Sequence, residues 1–281
     1  MEEKALTAKK SGFSMLLLCF IVFASGAALF VYAIGHLERG ENALGGFLLV
    51  VAILGYIAGI IALPGFKVLK PQEALVLTLF GHYAGTLREP GFYWVCPFCT
   101  AVNPAAGTKL SQSGDVDGGA HAASQSDGMG KKISLKMMTL NNSRQKINDC
   151  LGNPVEIGIA VIWRVTDTAK AVFNVDNYKE YLSLQCDSAL RNVVRVYPYD
   201  VAPNVDTTGD GVADEGSLRG SSEVVAARIR DEIQKNVAEA GIEVVEARIT
   251  YLAYAPEIAA VMLQRQQASA IIDARKMIVD G

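Results

Sequence analysis

The chain has 281 residues, 51% hydrophobic and 20% charged, with a formal net charge of −3 and a mean hydropathy of +0.24. The pI is about 5.7, so the chain lacks the excess of basic residues that is typical of nucleic-acid-binding proteins. We therefore expect no nucleic-acid partner. The mean hydropathy is high for a soluble domain. The apolar residues responsible are concentrated near the N-terminus, which excludes an ordinary cytosolic enzyme.

Two segments near the N-terminus, Gly12–Gly35 and Ala43–Phe66, contain no charged residue. Each would form a helix about 36 Å long, which is enough to cross a bilayer core of about 30 Å. Because the second segment follows the first so closely, we predict a helical hairpin in the membrane rather than a cleaved signal peptide. Gly55 and Gly59 have the small-xxx-small spacing that lets another helix approach closely, although chance spacing in a Gly-rich helix explains it as well.

The lysines around these segments predict the orientation of the hairpin. Five of them flank its two ends: Lys4, Lys9, Lys10, Lys67 and Lys70. The linker between the segments contains a single lysine or arginine, Arg39. The positive-inside rule therefore places both termini and the remaining chain in the cytoplasm, with the hairpin in the cell (inner) membrane.

The next part of the chain has the pattern of an antiparallel sheet. Ala74–Phe80 and Phe92–Val95 are β-prone and separated by a turn, and Ile133–Leu140 restarts the sheet. Between them Gly107–Gly130 has almost no large apolar residues, so we predict a disordered loop. Val155–Val165 alternates apolar and other residues, which predicts a strand with one face on a core.

Helices dominate the C-terminal part. Asp176 or Asn177 caps a predicted helix that ends by Pro198, and a second helix runs from about Ser222 to Gly241. The apolar face of the first helix comprises Leu182, Cys186, Leu190 (or Ala189), Val193 and Tyr197. The segment Val245–Tyr251 alternates as a strand, and a helix begins at Pro256.

The helix from Pro256 is unusually polar for an element of a core, so we predict that it packs against copies of itself or a partner. The candidate assembly residues are its apolar positions: Ile258, Met262, Leu263, Ile271 and Ile272. We expect this helix to continue beyond the last residue of the chain.

Aromatic residues cluster in the predicted hairpin near the membrane: Phe92, Tyr93, Trp94 and Phe98. Tryptophan and tyrosine are favoured at the headgroup level of a bilayer, so these four residues are candidates for membrane contact. The alternative is that they are ordinary core aromatics.

Cys96 and Cys99 form a C-x-x-C motif, which is found in redox pairs and as half of a zinc site. No second C-x-x-C follows, and the motif does not open a helix as in thioredoxin-like proteins. Two reduced, partly buried thiols are the simpler interpretation, and they agree with a cytoplasmic location.

Asp206, Thr208 and Asp210 occupy the first, third and fifth positions of an EF-hand-like loop and are weak candidates for calcium ligands. The twelfth position is Ser217 instead of a bidentate glutamate, so an acidic, solvated loop is the alternative. Neither a G-x-S-x-G motif nor a phosphate-binding loop is present in the sequence. We therefore predict no catalytic residues, no metal site, no cofactor and no enzymatic activity.

From Pro71 onward the chain resembles the SPFH domain (also called band 7 or PHB) of stomatin, prohibitin, flotillin and related proteins. The matching segments are Pro71–Ala74, Phe80–Tyr83, Gly85–Arg88, Pro90–Gly91, Ile147–Asp149, Gly152–Ile157, Trp163–Val165, Ser217–Gly220 and Ala253–Ile258. They occur in the order of the family pattern, and the region from Pro71 onward, in which they lie, is about three quarters of the chain. Two segments, Gly107–Gly130 and Asp206–Gly216, depart from the pattern as insertions.

The resemblance implies an α+β fold: a two-helix membrane hairpin, an SPFH domain with an antiparallel β-rich part and then an α/β part, and a long C-terminal helix. We place the boundaries at residues 1–68, 69–166, 167–253 and 254–281. The resemblance also implies a membrane-anchored scaffold that forms a homo-oligomeric ring or cage and organises a membrane microdomain. Its partners would be other copies of itself, membrane lipid and a membrane-bound protease or other client.

Two other functions stay open at this stage. The first is a regulatory adaptor that acts in small stoichiometry on a membrane-bound protease or channel. The second is a thiol oxidoreductase that uses Cys96 and Cys99. The oligomer size separates the scaffold from the adaptor, and replacing both cysteines tests the oxidoreductase.

Overall fold

The computed structural model describes residues 3–6, 11–39, 42–110, 116–117, 130–142, 144–200 and 216–280. Its helices are α1 (Gly12–Glu38), α2 (Asn42–Ala62), α3 (Thr168–Phe173), α4 (Tyr178–Val194), α5 (Ser222–Val237) and α6 (Pro256–Asp280). Its strands are β1 (Phe66–Leu69), β2 (Glu73–Leu79), β3 (His82–Leu87), β4 (Gly91–Trp94), β5 (Cys99–Ala101), β6 (Lys109–Leu110), β7 (Val116–Asp117), β8 (Ile133–Ser134), β9 (Met138–Asn141), β10 (Gln145–Asn148), β11 (Pro154–Val165) and β12 (Ile242–Tyr254). The predicted α+β architecture is confirmed.

The chain divides into two compact units that interleave along the sequence. The first comprises Met1–Ala106, Gln125–Lys136 and Thr168–Phe173. The second comprises Gly107–Ser124, Met137–Asp167 and Asn174–Gly281.

In the first unit, α1 and α2 are long and apolar enough to cross a membrane. Only 17% and 11% of the residues in their most apolar windows are buried. Large apolar side chains such as Phe13, Val31 and Phe47 are exposed along both helices. Helices of this composition need an apolar environment, which a bilayer provides.

The sheet of the first unit is built around β2, which pairs with β3 on one side and β5 on the other. Phe80 and Gly81 connect β2 to β3, and both have positive φ angles, 49° and 84°. A two-residue hairpin of this kind matches the twist of its strands, and glycine adopts such angles without strain. The apolar core consists of Leu69, Leu75, Leu77, Leu87 and Tyr93.

The predicted strand Ile133–Leu140 is wrong as a single element. Its first residues form β8, which pairs with Glu73 and Ala74 of β2. Its last residues belong to β9, which pairs with β11 in the second unit. The main chain changes its hydrogen-bonding partner between them, and a local apolar pattern does not contain that information.

The second unit is organised on β11, which pairs with β12 over nearly its whole length. β9 and β10 also pair with β11. The predicted alternation is confirmed, because six side chains of β11 are buried: Val155, Ile157, Ile159, Val161, Trp163 and Val165.

Helices α4 and α5 belong to the same unit. The Asn177 side chain caps α4 by accepting hydrogen bonds from the backbone N–H groups of Lys179 and Glu180, as predicted. The buried residues of α5 recur at four-residue steps: Val225, Ile229, Ile233 and Val237. Each helix thereby covers the core with one apolar stripe.

Two sequence predictions lie largely or wholly outside the described residues. Of the predicted loop Gly107–Gly130, the structure describes residues 107–110, 116–117 and 130, in which β6 pairs with β7. The calcium candidates Asp206, Thr208 and Asp210 all lie outside the described residues.

Candidate membrane-contact and assembly surfaces

Aromatic rings join the first apolar helix to the β-rich part of the first unit. The Phe92 ring of β4 stacks on Phe66 of β1, with centroids 5.5 Å apart, and meets the edge of Phe13 of α1 at 5.9 Å. A Cβ atom at Gly12 would lie 2.4 Å from Cδ1 of Phe92 and 2.7 Å from its carbonyl oxygen. Only glycine therefore permits this close approach of α1 and β4.

β1 and β4 pair as a two-stranded antiparallel ribbon, and the end of the second apolar helix is bound to it. The Trp94 indole N–H donates a hydrogen bond to the Ala62 carbonyl at 3.1 Å, which satisfies one of the carbonyls left free at a helix C-terminus. The Val95 N–H donates to the Gly65 carbonyl at 2.9 Å. We call the set Gly12, Phe13, Phe66, Phe92 and Trp94 the anchor junction.

The four predicted membrane-contact aromatics occupy different environments. Phe92 and Trp94 are partly buried in the anchor junction. Tyr93 is 2% exposed in the core, and its hydroxyl donates to the Glu89 carbonyl at 3.1 Å. Burial raises the pKa of Tyr93, and the negative charge of Glu89 adds to the effect. Tyr93 is thus a core residue, because alternate residues of β4 point to opposite sides.

Phe98 is 58% exposed and stacks on Phe80, which is 81% exposed, with ring centroids 6.2 Å apart. Phe80 sits at the tip of the β2–β3 hairpin with a left-handed backbone, which is costly for a residue other than glycine. The two exposed aromatic rings form a small apolar patch at the tips of neighbouring turns. Phe80 is not among the membrane-contact residues predicted from the sequence, although the Phe-Gly pair between two β-prone segments signals a hairpin tip.

The two glycines proposed for helix packing also differ. A Cβ atom at Gly59 would lie 2.8 Å from the Phe23 ring of α1, so Gly59 serves packing within the hairpin. A Cβ atom at Gly55 would meet nothing within 4 Å among the described atoms. The α1–α2 contact also includes the Phe23 and Tyr56 rings at 5.7 Å.

Cys96 and Cys99 are both free thiols at a tight turn in which the Cys99 N–H donates to the Cys96 carbonyl at 2.9 Å. Burial raises the pKa of Cys99, and its neighbour Cys96 adds to this. A raised thiol pKa lowers the thiolate fraction, which disfavours nucleophilic redox chemistry. The described residues contain no cluster of three or more His, Cys, Asp or Glu side chains suited to a metal ion.

The C-terminal helix α6 begins at Pro256, and the Lys146 ammonium pairs with the Glu257 carboxylate in its first turn at 2.5 Å. Ile258 and Met262 are partly buried, whereas Leu263, Ile271 and Ile272 are 56%, 56% and 64% exposed. Val261 and Ile278, which sequence analysis did not select, are exposed too. The helix thus carries apolar side chains that the described part of the chain leaves uncovered.

The chain matches the SPFH domain / Band 7 family over residues 67–278. The match begins in β1 and ends within α6, so it includes the β-rich region, the α/β part and most of the C-terminal helix. No curated protein matches the chain.

Proposed function

Because the chain belongs to the SPFH domain / Band 7 family, we propose that it is a membrane-anchored scaffold that forms a homo-oligomeric ring or cage and organises a patch of membrane with its resident proteins. The anchor junction is the observation that carries this proposal. It bonds the ends of both apolar helices to the ribbon of β1 and β4 through Phe92 and Trp94. The anchor junction supports the proposal, because it would keep the β-rich part of the first unit next to the membrane-spanning helices.

The topology of the anchor follows from two apolar helices in succession. Two crossings return the chain to the side on which it began. Residues 3–6, which precede α1, are hydrogen-bonded to β3, which follows α2, and this supports a common side for both. The lysines at both ends of the hairpin favour the cytoplasmic face of the inner membrane.

The exposed rings of Phe80 and Phe98 are proposed to rest among the lipid headgroups beside Trp94. A Phe98→Trp variant tests this in vesicles that contain brominated lipid. We expect its additional fluorescence to be quenched, over and above the quenching of the unchanged protein, whose two tryptophans are the partly buried Trp94 and the fully buried Trp163. Additional fluorescence that brominated lipid leaves unquenched would show that this surface stays away from the bilayer.

Assembly is proposed to use the exposed apolar side chains of α6, since burying a leucine or isoleucine contributes about 1.5–3 kcal/mol per side chain. The experiment is the mass of the detergent-extracted full chain by light scattering, followed by negative-stain imaging. We expect a ring or cage of many copies. Leu263→Asp with Ile271→Asp should lower this mass while the protein stays in membranes.

Gln264→Asp with Gln267→Asp is the matched control, because it adds the same charge at exposed polar positions of the same helix. An unchanged mass in the Leu263/Ile271 variant, or an equal loss in the control, would contradict the assignment of the assembly surface. A monomer or dimer of the unchanged chain would instead favour the regulatory adaptor of a membrane-bound protease or channel.

A further inference from the structure

The N-terminal segment adds a short strand to an open sheet edge. β3 is the edge strand of the first unit's sheet, with β2 on one side. Ala5 forms a parallel bridge with Thr86 on the other side. The Thr86 N–H donates to the Lys4 carbonyl at 2.9 Å, and the Leu6 N–H donates to the Thr86 carbonyl at 2.9 Å. The segment therefore satisfies main-chain groups that an edge strand otherwise leaves unpaired.

The first residue of this segment is held by its charge. The Arg88 guanidinium donates to one carboxylate oxygen of Glu3 at 3.2 Å, and the Thr168 hydroxyl donates to the other at 2.8 Å. The Glu3 side chain is 12% exposed, and Thr168 is fully buried. A carboxylate at this position thus meets a cation from the residue that follows β3 and a hydroxyl from α3.

The last residue of the segment is held by shape. Leu6 packs over Gly85, where a Cβ atom would lie 2.5 Å from Cγ of Leu6. Gly85 has a φ of +145°, which favours glycine and keeps this space clear. Leu6 also packs against the apolar core that contains Leu87 and Tyr93.

The two residues between these ends contribute mainly backbone. Lys4 and Ala5 are exposed, and the Lys4 N–H donates to the Tyr83 hydroxyl at 3.2 Å. The Tyr83 hydroxyl lies 2.7 Å from the Thr86 hydroxyl, which orients it along the edge. Selectivity therefore resides in an acidic residue and, three positions later, an apolar residue. Main-chain bonds that supply affinity, combined with side-chain contacts that supply specificity, are the general mode of peptide recognition by strand addition.

We propose that the edge of β3 is a peptide-binding site for extended segments with an acidic residue three positions before a large apolar one. Its resident ligand is the chain's own segment of residues 3–6, bound in cis. Because the segment is short, the covalent connection supplies the high effective concentration that keeps the site filled. A free peptide with the same pattern competes for the site when the resident segment is released.

The test uses the full chain in detergent and a fluorescent peptide of residues 1–8 as the probe. Leu6→Asp releases the resident segment, since it places a charge against the apolar core. We expect saturable binding of the peptide to this variant and binding at least about tenfold weaker to the unchanged chain, whose site is filled. A peptide carrying Glu3→Lys should bind the variant about tenfold more weakly than the native peptide. Lys4→Ala in the peptide is the control and should leave binding unchanged.

Equal binding to both chains, binding to neither, or indifference to Glu3→Lys would overturn the proposal. Hydrogen exchange on the unchanged chain gives a second reading that does not depend on the folding of a variant. The proposal requires slow exchange at the Leu6 and Thr86 amides, and fast exchange at both would refute it. A mixture of two chains, one carrying Ala5→Cys and the other Thr86→Cys, tests whether the segment binds within its own chain. An interchain disulfide between these two positions would overturn the cis assignment and show that the segment binds a neighbouring copy.

Discussion

A methyl group at Gly12 should open the anchor junction. In Gly12→Ala the new carbon would lie 2.7 Å from the Phe92 carbonyl oxygen, about 0.7 Å short of an ordinary contact of 3.4 Å. The Phe92 ring has no room to turn away without losing its contacts with Phe13 and Phe66. Overpacking of this kind costs about 1–3 kcal/mol, and the better helix propensity of alanine returns at most about 1 kcal/mol. We expect a net loss of about 1–2 kcal/mol at the junction.

Hydrogen exchange at the Val95 amide reports this loss directly, because that amide bonds to the carbonyl of Gly65 in the turn that follows α2. A loss of about 1–2 kcal/mol corresponds to exchange about 5- to 30-fold faster. Gly55→Ala is the matched control, since its methyl group meets nothing within 4 Å among the described atoms. Native exchange in Gly12→Ala, or equal acceleration in both variants, would refute the reasoning.

Three further predictions concern the two units. Burial raises the pKa of Glu73, but hydrogen bonds from the Lys132 ammonium and the Lys70 backbone N–H, together with the charges of both lysines, lower it below its ordinary value of 4.5. The stabilisation by Glu73 is therefore present above about pH 4.5 and lost as the pH falls through the lowered pKa. Glu73→Gln should remove this dependence from the free energy of unfolding, measured by denaturation at a series of pH values. Asp149→Ala should destabilise the second unit by about 3 kcal/mol, because three backbone N–H groups lose their acceptor. Denaturation followed by fluorescence measures this in a chain carrying Trp94→Phe, in which Trp163 is the remaining tryptophan, and a change below about 1 kcal/mol would contradict it. Cys96→Ser with Cys99→Ser should leave the oligomer mass unchanged in light scattering, and a changed mass would show that these thiols take part in assembly.

Features that depend on neighbours in sequence could be predicted from the sequence. The uncharged stretches of α1 and α2, the alternation of β11 and the Asn177 cap of α4 are all local patterns, and the structure contains each of them. A helix or strand exposes its residues with a fixed period, so the apolar period identifies both the element and its buried face. The family resemblance rested on motifs of the same local kind.

Features that depend on the partner of an element were decided by tertiary structure. The segment Ile133–Leu140 has one apolar pattern, but its two ends pair with strands in different sheets. Tyr93 and Phe92 are adjacent aromatics of one cluster, yet Tyr93 faces the core and Phe92 faces the anchor junction.

Tertiary structure also decided that Gly59 packs against Phe23 while Gly55 does not, and that residues 3–6 lie on β3. The composition of a segment determines whether it can span a membrane or form a strand, because the free energy of each depends on the residues of that segment alone. Which surfaces then come together depends on shape and on hydrogen bonds between residues far apart in sequence, and only the folded chain brings those groups into contact.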